Sequence, residues 1–149
     1  MYLINTETAE NHLARFKNCT LAAEDWTHEM HLIVGMGYLL KYGKQALPLM
    51  RDGIKKLNLA SGKQNTDTGG YHDTMTVFWL WRLRQFCAEN SITTFDEVAV
   101  DTLMYTQIMA ERNIFLQYYS LDVMMSVAAR RSFVASNLQP MVGIDFFEL

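Results

Sequence analysis

The chain has 149 residues, half of them hydrophobic and 19% charged, with a net charge of −3. That length suits one domain over 1–149, able to bury a core without disulfides or a structural metal. The acidic balance, with no basic stripe beyond Lys41, Lys44, Arg51, Lys55, Lys56 and Lys63, argues against a nucleic-acid partner.

Cys19 and Cys87 lie far apart and form no CxxC, so both read as buried, reduced thiols. With no basic, apolar leader, the expected location is cytoplasmic. The longest apolar run, Leu32 to Leu40, is about half of the ~20 residues that span a bilayer, so no membrane partner is expected. Only two prolines punctuate the chain, which favours helices.

In chain order, 1–19 reads as an N-terminal arm with a short helix from Glu7 to Phe16, its buried contact made by Leu13 and Phe16. Thr20 can cap a helix running to about Tyr42, with Glu24 and Asp25 complementing its dipole. Apolar residues surround its axis from Leu32 to Leu40, the mark of a central helix. Gly43 breaks it, and Gln45 to Ala60 forms the next, with Pro48 tolerated in the first turn and Gly62 following the end.

The stretch Ser61 to Gly70 is loop-like. A helix from Tyr71 to about Glu89 then carries His72, Met75, Thr76, Trp79, Leu83 and Phe86 on one face, and Asn90 closes it. Thr94 with Glu97 reads as a capping box opening a helix to about Glu111. Ser120 or a neighbour starts a last helix over Leu121 to Phe133. The tail 140–149 is too apolar to be left in water and should dock on the body or on a partner chain. The architecture expected is all-α: a single-domain up-and-down bundle of five to seven helices.

Three of the four histidines fall in two short clusters, Trp26-Thr27-His28-Glu29-Met30-His31 and Gly69-Gly70-Tyr71-His72-Asp73-Thr74. On a continuous helix Glu24, His28 and His31 share a ~60° arc, with Gly35 a turn further along leaving room for a bound molecule or a close helix. An up-down-up order brings His72 to the same end. His28, His31 and His72 then form a candidate metal site for a divalent Zn, Ni or Fe ion, three protein ligands with an open position being the catalytic pattern. Glu24 or Glu29 would act as acid or base, with Trp26 and Tyr71 as walls of the binding pocket. The histidines are three apart rather than four, so the HExxH mechanism does not transfer.

Trp26-Thr27-His28 with His31, Gly70-Tyr71-His72 with Thr74 and Thr76, and Tyr118-Tyr119-Ser120 with Ser126, Ala129 and Arg130 together resemble a family of uncharacterised bacterial helical proteins over roughly Thr20 to Pro140. That resemblance implies no activity. By analogy of bundle class and histidine content the chain is also similar to the DinB/YfiT-like metal-binding bundles, whose three histidines bind a divalent metal, although those commonly space the last two by four.

Two functions follow as expectations. One is a small metal-dependent enzyme acting on a small-molecule substrate through the three histidines. The other is a non-catalytic ligand-binding or homodimeric interaction protein with structural histidines, the tail and the Met124-Met125 region making the dimer contact.

Overall fold

The computed structural model describes residues 6–106 and 111–149. Among them the architecture is all-α, without strands, in one bundle. Five helices of eight residues or more lead the chain: α1 (Thr6–Lys17), α2 (His28–Tyr42), α3 (Ala46–Ala60), α4 (Asp73–Glu89) and α5 (Glu97–Met104). Two short ones follow, α6 (Leu121–Met124) and α7 (Val127–Arg131), with 3₁₀ turns at Ala23–Asp25, Gly43–Gln45, Ile114–Gln117 and Ile144–Phe147. None is long and apolar enough to cross a membrane among the described residues.

α2 is the central helix, packed by α1, α3 and α4. Its buried residues run without a break from Leu32 to Leu39, as an apolar surface on all sides requires. α1 meets it through Leu13 beside Gly37 and Phe16 beside Tyr38, and buries Ala9, Leu13 and Phe16, spaced four and three apart on one face. Small residues set the closest approaches. A Cβ on Gly35 would lie 2.9 Å from the Leu83 side chain of α4, and one on Gly37 2.7 Å from Leu13. His28 faces Trp79 while Gly35 faces Leu80 and Leu83, so contacts advance together along α2 and α4 and the two helices run parallel.

The helix starts depart from the sequence reading at three points, one being α4, which begins at Asp73 rather than Tyr71 with His72 as its cap. α2 begins at His28 rather than near Thr20, because Thr27 is extended (φ −83°, ψ 171°) and its hydroxyl accepts the Met30 N–H at 3.2 Å. Glu24 therefore lies in the preceding 3₁₀ turn and not on the α2 face with His28 and His31. α5 begins two residues later than expected. Its cap is Asp96, which accepts the Ala99 N–H at 2.9 Å, while the Thr94 hydroxyl donates to Asp96. α5 ends at Met104, with Tyr105 as its C-cap, short of the expected run to Glu111; residues 107–110 and the first part of the N-terminal arm, 1–5, lie outside the described residues.

The single last helix is broken in two. Ser120 caps α6 as expected, and the Ser126 hydroxyl oxygen caps α7 by accepting the Ala129 N–H at 3.1 Å. The tail docks on its own body: Met141 and Phe147 are buried, the Trp81 indole N–H donates to the Val142 carbonyl at 2.8 Å, and Arg84 lies 3.7 Å above the Phe146 ring. Met124 is wholly buried, leaving Met125 at the surface. Cys87 is buried, whereas Cys19 is only partly so.

Candidate functional site

A cavity of about 410 Å³ opens between α2, α3, α4 and the loop that joins α3 to α4. Trp26, His31 and Gly35 line it from the α2 side, Met50, Ile54 and Asn58 from α3, Met75, Thr76, Trp79, Leu80 and Leu83 from α4, and Lys63, Gly70, Tyr71 and His72 from the loop. Its size is within the range of small-molecule sites. The walls are mostly apolar, and no aspartate or glutamate is among them.

The loop wall is held at several points. Lys63 N–H donates to the Asn58 carbonyl at 2.9 Å, closing α3 around Gly62 in the left-handed region (φ 83°). Asn65 then acts as a hub: its Oδ1 accepts from Asn58 Nδ2 and the Tyr71 N–H, and its Nδ2 donates to the Lys55 carbonyl. From α7, Arg131 grips Asp67 with two hydrogen bonds and Arg130 donates to the carbonyls of Gly70 and Tyr71. The two arginines are therefore spent on the loop. Gly70 is required there, since its φ is 80° and a Cβ would collide with the Gln64 carbonyl oxygen.

His31 stacks on Trp26 with ring centres 3.8 Å apart, and Trp26 in turn stacks on Phe16 at 5.1 Å. The His31 Nδ1–H donates to the Thr27 carbonyl at 2.6 Å, which leaves the lone pair on Nε2. Burial lowers its pKa to about 4, with His28 and Lys63 pushing the same way against the Thr27 bond and Glu29. The ring is neutral at physiological pH.

His72 is placed differently. Its Nδ1 accepts the Met75 N–H at 3.1 Å, so the imidazole caps α4, and its Nε2–H donates to the Met124 carbonyl at 2.8 Å. Both nitrogens are committed. His28 rests edge-on against Trp79 at 5.1 Å and does not line the cavity.

The three histidines thus do not present lone pairs to a common point. Among the described residues, no group of three or more His, Cys, Asp and Glu side chains could hold a metal ion. With His72 spent on the helix cap, the residues present do not fit the expected Zn, Ni or Fe site.

Glu24 and Glu29 face elsewhere. They line a second cavity of about 290 Å³ with His12, Asp25, Thr27, Met30 and Met104. His12, the histidine outside both clusters, is 6% exposed and its Nδ1 has no hydrogen-bond partner among the described residues. Burial lowers its pKa, against the pull of Asp25. Nothing in its local sequence set it apart.

Tyr71 and Trp26, read as pocket walls, both line the main cavity. The Tyr71 hydroxyl donates to Asp73, which Arg51 holds from the other side by two bonds of 2.8 and 3.0 Å. Asp73 is 5% exposed, so this is a largely buried ion pair in the first turn of α4, where a negative charge suits the helix dipole. Lys55 sits 4.9 Å from the Tyr71 ring centre.

Sequence reasoning missed the α3 wall. One signal existed: Met50, Ile54 and Asn58 recur every fourth residue, putting an amide on an otherwise apolar stripe. Comparisons with protein-family models, curated proteins and solved structures return no match.

Proposed function

We propose that this protein binds a small, largely apolar organic molecule in the cavity between α2, α3 and α4, without a catalytic metal. The cavity carries the reading. It is of ligand size, walled by Ile54, Leu80, Leu83, Met50 and Met75, and flanked by the Trp26 and Trp79 rings, with a few polar groups at its rim. Methionine walls suit ligands of varied shape because the side chain is unbranched and adaptable.

Two observations favour binding over metal-dependent catalysis. The nitrogens of His72 hold a helix start and a neighbouring turn, and Glu24 and Glu29 line a different cavity from His31. A base with a pKa near 4, as at His31, is moreover poorly matched to proton abstraction at neutral pH. Its Nε2 lone pair is suited to accepting a hydrogen bond from a ligand.

Titration calorimetry with 1-octanol tests the reading. One site per chain is expected with a Kd of about 0.1 mM, the scale set by a nine-atom ligand. Met75→Trp, which fills the cavity from the α4 wall, should abolish the binding while leaving helical circular dichroism unchanged. Absence of binding by the native protein, or equal binding by the folded variant, would remove the proposal. Metal analysis of untagged protein should find less than about a tenth of an equivalent of Zn, Ni or Fe, with no rise in Tm on their addition.

A further inference from the structure

We infer that the molecule held in this cavity is a monocarboxylate, its acid group paired with Lys63 at the rim and its apolar body lying against Ile54, Leu80 and Leu83. This rests on the reading of the cavity as a ligand site. Lys63 is the cation among the lining residues, and no lining carboxylate competes for it. Its ammonium has no ion-pair or hydrogen-bond partner among the described residues, in contrast to Lys41, Lys44 and Lys56, which hold Glu10, Glu148 and Asp52. The backbone N–H of Lys63 is fastened to the Asn58 carbonyl, so the base of the side chain is fixed at the cavity edge. Its charge is felt inside, since it contributes to keeping His31 neutral.

A positive rim over an apolar, acid-free chamber selects an amphiphilic anion. The head group follows from what the walls lack. No arginine lines the cavity, so the paired donors that grip phosphate are missing there. The helix start that faces it is closed to a dianion as well: His72 takes the Met75 N–H, and Asp73 puts a carboxylate in the first turn of α4. One ammonium matches one carboxylate.

Three probes sharing an eight-carbon tail test the assignment by titration calorimetry on the full chain: octanoate, 1-octanol and octyl phosphate. Octanoate should bind about five- to tenfold more tightly than 1-octanol, the worth of one charge-assisted contact at a partly solvated rim. Lys63→Gln should shrink that ratio to below about twofold without changing 1-octanol affinity, and Lys63→Arg should keep most of it. Octanol binding as well as octanoate, or a preference that survives Lys63→Gln, overturns the inference while leaving the cavity as a binding site. Octyl phosphate binding more tightly than octanoate overturns the choice of head group. Failure of all three probes removes the inference together with the reading on which it rests.

Discussion

His72 joins two parts of the fold through one ring. Replacing it by alanine removes a helix cap and the bond to the Met124 carbonyl, and should cost about 2 kcal/mol in urea unfolding. Asparagine, a good cap that cannot reach Met124, should recover roughly half of this. An unchanged urea midpoint for His72→Ala would show that neither bond matters. The histidines also give the protein an acid sensitivity. His31 is lowered from 6.5 to about 4, and His12 and His72 are lowered too, all chiefly by burial. Above pH 6.5 both folded and unfolded chains carry neutral rings. As pH falls below that value the unfolded chain takes up protons first, so stability drops until the folded state is protonated, near pH 4 for His31. The loss attributable to His31 reaches roughly 2 kcal/mol by pH 5, and His31→Gln should flatten the decline in unfolding free energy between pH 7 and 5.

Helix contacts decide what a glycine is worth at the scale of an element. Alanine in a helix interior ordinarily gains about 1 kcal/mol over glycine. At Gly35 the new methyl would meet the tip of Leu83, a side chain that can turn aside, so Gly35→Ala should change stability by less than about 1 kcal/mol. Gly53 in α3 is different, because its Cβ would fall 2.6 Å from the rigid Phe16 ring, which is itself buried under Trp26. Gly53→Ala should lose about 2 kcal/mol, and paired urea curves of the two variants give the comparison directly. The start of α2 illustrates the same scale. Thr20 and Thr27 both have the side chain of a cap, and Glu24 and Asp25 suit a first turn, so the residues by themselves allow a helix from either. Thr27 prevails in the fold: its extended backbone ends the 3₁₀ turn and lets Trp26 lie across His31 and Phe16. That packing is not local, and no window of sequence contains it.

For the whole molecule, the tail from Met141 onward packs on α4 at Trp81 and Arg84. Deleting 141–149 removes the buried Met141 and Phe147, orphans the Trp81 indole N–H and frees Lys44 from Glu148. A loss of roughly 4 kcal/mol is expected, a large part of the stability of a domain this size, and a truncated chain with an unaltered Tm would contradict it. Apolar composition alone predicted that the tail must dock. Whether it docked on its own body or on another chain depended on where α4 placed Trp81 and Arg84.

Composition and periodicity determined the helical class, the central place of α2 and the stripe of α4. These follow from chain-local physics, since burial periodicity and turn residues act within a few residues of one another. Tertiary structure alone decided what each imidazole does. A histidine has two nitrogens, and the partner of each comes from whichever backbone happens to lie within about 3 Å, here Thr27 for one ring and Met75 with Met124 for the other. Met124 lies 52 residues from His72, a separation that spacing rules do not reach. The same long-range packing turned a cluster that looked like a set of metal ligands into a helix cap at His72, a cavity-lining ring stacked on Trp26 at His31, and a ring edge-on to Trp79 at His28.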